Sequence, residues 1–526
     1  MAFDILIKNG TLIDGTGRER YPADVGINKN AIAEIGDLKN QKAEKVIDAA
    51  NLHVVPGFID VLNHSDTYWT MFPMPSMESL LRQGITTIIG GNCGASLAPL
   101  VEGNVIAAIQ KWADMSEVSI NWLRMSEFLE QLERMKFGVN FGTLVGHGTL
   151  RRGLIKDEVR NLTGDEMAKI KFMLEEALES GAFGLSTGLA FSHAKTTPVE
   201  EIIELAKLVE KYDGVYASHL RDEAGRLDDS VTETIRVAME SQAKIQISHF
   251  KAMGQSGWPN FAANLERFEQ AHDGGLNVNF DVFPYTVTGS VLYTLLPDWA
   301  AEGGKKKLLS RLRDPHERRK IIHELKKNPL AEYDKIIVAI SPADKTFIGK
   351  SLKEIAQNQG VEPEEALLNM ILVAEDQLIA FIHSLSEENV AVGIASKISM
   401  VSSDGSGYNL GYARKGILVH PRSFGAFPRL LGKYVREEKK LSWEEAVRKI
   451  SSLPAEKYGL KKRGLITEGN FADLTIYNPE TVSDLATFKN PYLYPRGVEY
   501  VIVNGKTAVE KGVYNGELAG RVLRKS

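Results

Sequence analysis

The sequence predicts an α/β protein: a (β/α)8 TIM-like barrel over residues 56–465, with a small β-sandwich domain built from residues 1–55 and 466–526. Two observations favour this fold class. Eight nearly continuous apolar runs of strand length alternate with helical segments, as expected for parallel strands that are buried on both faces. Both chain ends instead alternate apolar and polar residues and break at turn dipeptides such as Asn9-Gly10, which is typical of hairpins.

The predicted barrel strands follow one another in chain order. They are the segments HVVPGFIDV, ITTIIGG, NFGTLVG, AFGLST, GVYASH, KIQISHF, LNVNFDVF and ISMVSS. Start signals mark three helices, with capping boxes at 163–166 and 442–445 and a proline at the first helical position in 197–200. Because the strands of such a barrel are parallel, their carboxyl ends share one rim, and the chemistry is found there.

One spacing in this series is much longer than the others. Strand seven ends near residue 283, but strand eight ends only near residue 404. The stretch from about 288 to 348 contains three consecutive lysines and the charged segment DPHERRKIIHELKKN, which predicts a helical insertion after strand seven. Long insertions at this rim often act as substrate lids, and a purely decorative surface insertion is an equal alternative.

The composition excludes several classes of protein. The 63 Lys and Arg residues against 68 Asp and Glu give a net charge of −5, so nucleic acid and anionic membranes are poor partners. The sequence shows no signal peptide and no run of about 20 apolar residues that could span a bilayer. A single cysteine excludes an intramolecular disulfide and fits a reducing compartment. We therefore expect a soluble, cytoplasmic protein, whose oligomeric state is open.

Metal-ligand residue types fall at the ends of the predicted strands. They are His64 after strand one, Cys93 after strand two, His147 on strand three, His219 on strand five, His249 on strand six and Asp404 on strand eight. A lone histidine is more often structural, but several histidines, one cysteine and one aspartate on one rim form a set that suits zinc. The pattern favours a metal site with one position open for water.

Cys93 admits three interpretations. A free cysteine is usually a small buried apolar residue. It could also be a nucleophile paired with His219 or His249. Its position between Asn92 and Gly94 at a strand end, where a ligand can approach the backbone, favours a metal ligand.

A set of motifs resembles one enzyme family. The motifs are DILIKNGTLIDGTG, VVPGFIDVLNHSD, GGNCG, VGHGTLR, GLSTGL, SHLRDE, SHFK, SSDGS, HPRSFGAFPR and EGNFADLTIYNP. In this order they resemble the N-acyl-D-amino-acid deacylases, or D-aminoacylases, of the metal-dependent amidohydrolase superfamily. The resemblance implies a tightly held zinc on Cys93, His219 and His249, with Asp404 as general base and then general acid.

The sequence departs from the family at its second, weaker metal position. That position uses two histidines of an H-x-H motif, which reads Leu62-Asn63-His64 here. Since leucine cannot bind a metal, we expect one tightly bound Zn2+, with a second weak site doubtful. His64 is then either a weak ligand or a hydrogen-bonding group.

The substrate implied by the resemblance carries an α-carboxylate, which a guanidinium holds with two parallel hydrogen bonds. Arg422, Lys251 and Tyr285 are the candidates, and the family points to the same three. From Thr286 to Ala300 the loop after strand seven contains no Lys, Arg or His. It therefore either forms an apolar side-chain pocket or packs the insertion against the barrel.

The expected activity is zinc-dependent hydrolysis of N-acyl-D-amino acids, which are small molecules, with neutral or apolar side chains. A D-residue dipeptidase or cyclic-amide hydrolase is an alternative within the same class. A barrel that only binds, without catalysis, is a further alternative. It fits poorly because Cys93, His219, His249 and Asp404 are all present.

Overall fold

A computed structural model describes residues 2–101, 120–191, 193–375 and 377–525. The fold is mixed α/β, as predicted. Its strands are β1 Phe3–Lys8, β2 Thr11–Leu12, β3 Tyr21–Pro22, β4 Asp24–Asn28, β5 Ala31–Gly36, β6 Ala43–Asp48, β7 His53–Pro56, β8 Phe58–Asp60, β9 Ile85–Gly90, β10 Asn140–Thr143, β11 Val145–Gly146, β12 Gly184–Gly188, β13 Val215–His219, β14 Lys244–Ile247, β15 Val278–Val282, β16 Val287–Val291, β17 Ile336–Ile340, β18 Ile379–His383, β19 Ser399–Val401, β20 Leu474–Tyr477, β21 Val498–Val503, β22 Lys506–Glu510 and β23 Val513–Tyr514.

Helices connect most of the central strands. They are α1 Glu78–Leu81, α2 Met125–Arg134, α3 His147–Ile155, α4 Gly164–Glu179, α5 Val199–Lys211, α6 Leu227–Ser241, α7 Asn260–Asp273, α8 Asp298–Ala301, α9 Gly304–Arg313, α10 Pro315–Leu325, α11 Leu352–Gln359, α12 Pro363–Val373, α13 Glu387–Ala395, α14 Arg422–Arg429, α15 Trp443–Ile450 and α16 Ser452–Tyr458. A π-helical segment, Leu430–Glu437, continues α14. Within the described ranges, no helix has the length and apolar character needed to cross a membrane.

Two of the three predicted helix starts are confirmed by their caps, whereas Pro198 is the N-cap residue of α5 and not its first helical residue. The Thr163 side chain accepts a hydrogen bond from the Glu166 backbone N–H, and the Glu166 carboxylate accepts one from the Thr163 backbone N–H. Ser442 caps α15 through the N–H of Glu445. Such caps satisfy N–H groups that a helix end leaves without partners, and each contributes about 1 kcal/mol.

The central strands lie side by side and parallel in chain order. Strands β8, β9 and β10 pair successively, and β11 to β15 continue the series to β19. Only Leu144 separates β10 from β11, and its N–H donates to Gly90 O at 3.0 Å. A parallel bridge between Asn63 and Gly405 joins the segments that follow β8 and β19. The segments that follow the first and last of these strands therefore lie side by side, and the carboxyl ends of the paired parallel strands lie at one edge.

Both chain ends contribute to one antiparallel-rich sheet. Its seven strands run in the order β23-β22-β21-β20-β7-β2-β3, and a four-stranded sheet has the order β5-β4-β1-β6. Buried side chains of both sheets form one apolar cluster, which includes Ile7, Ile27, Val54, Leu474 and Ile502. The contact of β7 with β20 brings the two ends of the chain together.

The segment between β15 and β19 corrects the predicted helical insertion over 288–348. It contains helices α8 to α12, but also an antiparallel sheet of order β16-β18-β17, so it extends to about His383. Its strands IIVAI and IAFIH are short apolar runs. Most of the surrounding sequence is charged and helical, so the pattern predicted helices only. A separate apolar core, with Leu292, Leu308, Ile336 and Leu367 among its members, stabilises this insertion.

Candidate active site

Cys93, His219 and His249 come together at the carboxyl edge of the parallel strands. Cys93 follows β9, His219 ends β13, and His249 lies two residues beyond β14. One potential ligand atom from each residue lies within 4.8 Å of the other two. Cys93 Sγ is 3.6 Å from His249 Nε2, and the two imidazole rings meet edge to face with centroids 4.3 Å apart. The structure thus brings together the three residues of the predicted zinc set.

The backbone of this site is strained. Cys93, His249 and Asp404 have φ angles of 53°, 39° and 47°, in the left-handed region that non-glycine residues seldom occupy. Each such residue costs about 1–3 kcal/mol, and this strain is found most often at functional sites. Glycine at 188 permits the close approach of Cys93, because a Cβ there would lie 2.2 Å from Cys93 O.

Two buried carboxylates beneath the rim hold these strained segments. Asp281 Oδ1 accepts the backbone N–H of His249 at 3.0 Å, and Asp60 Oδ1 accepts the backbone N–H of Ser403 at 2.8 Å. Burial raises the pKa of each carboxyl to about 6, although the hydrogen bonds lower it. Sequence reasoning missed both residues. The feature that could have identified them is a single acidic residue within an otherwise apolar strand.

Glu223 joins the two histidines to Lys251. Its Oε2 lies 3.4 Å from His219 Nε2, and its Oε1 lies 3.2 Å from His249 Nδ1 and 2.6 Å from Lys251 Nζ. Burial would raise the pKa of Glu223, but Lys251 and the histidines outweigh it, and the pKa is well below its ordinary value. The sequence analysis did not select Glu223, although it lies four residues after His219.

These contacts leave the other two imidazole nitrogens for a ligand. His219 Nδ1 is buried and has no hydrogen-bond partner within the described residues. His249 Nε2 faces Cys93 Sγ. A carboxylate that accepts the remote N–H of a histidine is the usual support of a histidine that binds zinc. One sulfur and two imidazole nitrogens, supported in this way, fit a zinc ion.

Asp404 lies in a second cluster beside this set. Its Oδ1 is 3.1 Å from His64 Nε2, and its Oδ2 is 2.6 Å from Arg422 Nη1. All three side chains are buried. Burial alone would raise the pKa of Asp404, but Arg422 and His64 hold it far below its ordinary value. Asp404 is therefore an ionised carboxylate at neutral pH.

The structure places the three predicted carboxylate-binding residues differently. Arg422 and Lys251 both line the cavity, and Arg422 Nε is buried without a hydrogen-bond partner in the described part of the chain. Tyr285 is not among the described residues that line the cavity. Its hydroxyl group lies 3.4 Å from Asp484 Oδ2, and its ring stacks against Arg429. The structure therefore does not bring Tyr285 to this site.

Two further residues that sequence analysis considered have structural contacts. His147 is buried at the start of α3, with Nε2 2.8 Å from Glu201 Oε1. Arg221, two residues after His219, binds Glu233 at 2.6 Å. The sequence thus predicted that His147 lies at a strand end, but it did not predict the direction of its side chain.

A cavity of about 220 Å3 lies over both clusters. It is lined by Cys93, His219, His249, Glu223, Lys251, His64, Asp404 and Arg422, and by the apolar side chains of Phe191, Met253, Val291, Leu295, Leu330 and Ile382. From the loop predicted to form an apolar pocket, Val291 and Leu295 face this cavity. Leu292 and Leu296 pack instead in the core of the insertion. Both interpretations of that loop therefore hold for different residues.

Comparison with known proteins adds a consistent result. A family model described as the amidohydrolase family matches residues 45–303 and 416–509. The whole chain is 33% identical to D-aminoacylase of Alcaligenes xylosoxydans xylosoxydans, 98% of which is covered. It is 32% identical to N-acyl-D-glutamate deacylase of the same organism, over 99% of this chain and 96% of that one.

A solved structure is similar over the full length of both chains. It is the N-acyl-D-glutamate deacylase of Bordetella bronchiseptica, complexed with zinc and a phosphonate inhibitor, with a TM-score of 0.85 and 29% sequence identity. The similarity includes the parallel strands, the insertion and the sheets formed by both chain ends, because all of each chain is covered. The chain belongs to the N-acyl-D-amino-acid deacylase (D-aminoacylase) family of amidohydrolases.

Proposed function

We propose that the protein hydrolyses the amide bond of N-acyl-D-amino acids and releases a carboxylate and a free D-amino acid. The observation that carries this proposal is the convergence of Cys93, His219 and His249 beside an ionised Asp404. Relatives that match the chain from end to end are named D-aminoacylase and N-acyl-D-glutamate deacylase, which supports the same substrate class.

We infer that Cys93, His219 and His249 hold one zinc ion. A zinc ion there supplies Lewis acidity, which polarises a carbonyl group and makes water a stronger acid. Leu62 offers no ligand for a second ion, and His64 already contacts Asp404 at 3.1 Å. A second, weaker site remains doubtful for these reasons.

Asp404 moves the proton in the proposed reaction. Its carboxylate takes a proton from the attacking water and then gives it to the amine nitrogen that leaves. The low pKa keeps Asp404 ionised, so its carboxylate is unprotonated before the reaction, and its backbone at the cavity is in the left-handed region. His64 and Arg422 orient the two carboxylate oxygens.

Arg422 and Lys251 are the proposed partners of the substrate α-carboxylate. Arg422 has an unpartnered buried Nε, so it can donate to a second carboxylate besides Asp404. Lys251 reaches the cavity from the opposite cluster, where Glu223 neutralises it. Tyr285 stays a prediction for which the structure gives no support.

We propose that the D-side chain is apolar or neutral. The cationic side chains that line the cavity already have carboxylate partners. The pairs are Lys195 with Asp298, Arg221 with Glu233, Lys251 with Glu223 and Arg422 with Asp404. An acidic side chain needs a cation of its own, since burying an unpaired charge is costly.

The domain boundaries complete the proposal. We infer a closed (β/α)8 barrel over residues 56–465, a β-sandwich from 1–55 and 466–526, and an insertion that extends past residue 348. The bridge between Asn63 and Gly405 supports closure of the barrel. A reducing, cytoplasmic location is proposed because a ligand thiol must stay reduced.

The rival reactions predict different products. A D-residue dipeptidase or cyclic-amide hydrolase would cleave D-dipeptides or lactams faster than acyl amino acids. A cysteine nucleophile paired with His249, whose Nε2 lies 3.6 Å from Sγ, would work without metal. Metal analysis and a substrate panel therefore separate these alternatives.

The deciding experiment is a panel of N-acetyl D- and L-amino acids, with released amine as the readout and metal content measured in parallel. We expect hydrolysis of the D-series only, about one zinc per chain, and loss of activity with a chelator. Each buried methylene adds up to about 0.8 kcal/mol, so the D-leucine derivative should exceed D-alanine tens-fold in kcat/KM. Faster hydrolysis of N-acetyl-D-glutamate than of the D-leucine derivative would contradict the apolar pocket.

A further inference from the structure

A second, smaller cavity of about 40 Å3 borders the first one. We propose that it is the subsite for the acyl group of the substrate, and that it takes an unbranched aliphatic acyl chain of about four to five carbons. This inference rests on the proposed function and adds the acyl class that the enzyme prefers.

The walls of the small cavity are largely apolar and come from two parts of the fold. Strands β17 and β18 of the insertion contribute one side, and the segment after β19 contributes the other. The apolar and aromatic residues are Ile340, Ile379, Phe381, Tyr408, Tyr412, Ile417, Leu418 and Val419. Such walls favour an alkyl group, because burying it removes apolar surface from water.

The charged and polar groups at its margin already have partners. Asp404 and Arg422 bind each other at 2.6 Å. His420 Nε2 lies 2.8 Å from Val287 O, and its Nδ1 accepts the backbone N–H of Arg422 at 3.1 Å. Burial first, and then Arg422, hold the pKa of His420 well below its ordinary value, so the ring is neutral. The charges on the described walls are therefore paired with each other, and Arg422 Nε is the unpartnered donor that is assigned above to the α-carboxylate.

The two cavities share the residues at which the reaction is proposed to occur. Tyr68, Gly289, Asp404 and Arg422 line both of them. The carbonyl carbon of the substrate must lie close to Asp404, since that carboxylate acts on both the water and the amine nitrogen. A group attached to this carbon is therefore the part of the substrate nearest to the small cavity.

The other apolar substituent of the substrate has a different place. Val291, Leu295 and Leu330 line the large cavity and not the small one. An N-acyl-D-amino acid carries two apolar groups, the acyl chain and the side chain, on opposite sides of its amide. Two apolar compartments that both border Asp404 match this arrangement.

The volume of the small cavity limits the length of the acyl chain that it can hold. About 40 Å3 holds roughly three water-sized groups, which is the room that two or three carbons beyond an acetyl group require. Each methylene that is buried should raise kcat/KM by up to about fourfold. The rate should therefore rise from acetyl to butanoyl or pentanoyl and stop rising, or fall, at octanoyl.

The test is a series of N-acetyl, propanoyl, butanoyl, pentanoyl and octanoyl D-leucine with the zinc-loaded full chain. Leu418→Phe should fill the small cavity, because the partly buried Leu418 lines only that one. We expect this variant to lower the pentanoyl-to-acetyl ratio of kcat/KM at least tenfold. It should leave the ratio of N-acetyl-D-leucine to N-acetyl-D-alanine within about twofold of the parent.

The matched control is Leu330→Phe, the same change at a partly buried leucine that lines only the large cavity. It should lower the D-leucine-to-D-alanine ratio and leave the acyl-chain ratio unchanged. If Leu418→Phe does not fold, as judged by its melting temperature, Ile417→Phe replaces it, since Ile417 also lines only the small cavity.

Three results would overturn the inference. They are a parent chain-length profile that is flat or falls from acetyl, a Leu418→Phe variant with an unchanged acyl-chain ratio, and a Leu418→Phe variant that changes side-chain preference instead. In each of these cases D-specific hydrolysis persists and the proposed function stands. Absence of hydrolysis of all N-acyl-D-leucines by the zinc-loaded protein would refute the proposed function itself.

Discussion

The two halves of the site use the same three kinds of group for different purposes. In one half, Glu223 lies between histidines and Lys251; in the other, Asp404 lies between His64 and Arg422. Both carboxylates are buried, and a neighbouring cation and imidazole hold the pKa of each below its ordinary value.

The difference lies in what the histidines do with their second nitrogen. Beside Glu223, the remaining nitrogens of His219 and His249 are directed away from the carboxylate, and one of them faces Cys93. Beside Asp404, a single histidine is present, and the carboxylate itself lies on a strained backbone at the cavity. We therefore expect Glu223 to position ligands and Asp404 to act on the substrate.

The largest expected effect tests the half that holds the metal. Cys93→Ala removes the sulfur ligand of the Cys93, His219 and His249 set and should abolish both zinc binding and amide hydrolysis. Elemental analysis of the purified variant, with the parent as control, measures the first effect directly. An alanine variant that keeps its zinc and its rate would show that Cys93 is not a ligand.

Asp404→Asn tests the half that moves protons. The variant should lose about 10² to 10⁴ in turnover, the range of general acid–base groups, because an amide cannot accept the proton of water. Zinc content should stay near that of the parent. The measurement is kcat at saturating N-acetyl-D-leucine, and a near-normal kcat would remove Asp404 from the mechanism.

Glu223→Gln separates support of the ligands from chemistry. Loss of a carboxylate behind metal-binding histidines typically weakens metal affinity about 10- to 100-fold. We expect this loss in a competition titration with a chelator, while kcat at saturating zinc changes much less. If zinc affinity were unchanged and kcat fell as in Asp404→Asn, the two carboxylates would have the same role.

Arg422→Lys should give the smallest effect of the four. An ammonium group cannot reproduce two parallel hydrogen bonds to a carboxylate, and one charge-assisted hydrogen bond contributes about 1.5 kcal/mol. We therefore expect KM to rise about tenfold with little change in kcat. Since Arg422 also contacts Asp404, a fall in kcat without a change in KM would assign it to the proton step alone.

The sequence was sufficient to predict the parallel strands and the residues at their carboxyl ends. The apolar pattern of the sequence places His219 and His249 at the ends of neighbouring strands. Parallel pairing of these strands then brings both residues to one edge of the sheet. Glu223 could not be found in this way, because it lies in a loop whose path depends on tertiary contacts. Tyr285 shows a different limit, since its position just beyond β15 did not reveal that its hydroxyl group contacts Asp484.

The insertion shows a further limit of sequence patterns. Its helices are amphipathic and charged, so they were predicted, but β17 and β18 are too short to distinguish from buried helical turns by periodicity. Strand β18 pairs antiparallel with β16, which joins residues about 90 positions apart in the chain, and β17 pairs with β18. Nothing in the local sequence specifies such a long-range contact.

The pairing of every cavity cation with a carboxylate has a consequence for the electroneutrality of the site. Lys251 and Arg422 balance Glu223 and Asp404. With neutral histidines, the thiolate of Cys93 offsets only half the charge of a divalent ion. A zinc ion held by this set would therefore bring one positive charge more than its thiolate ligand neutralises. A free acid substrate cancels that charge on entry, whereas an ester or amide of the same molecule does not. The released D-amino acid is a zwitterion without net charge, so its electrostatic attraction to the site is weaker than that of the substrate.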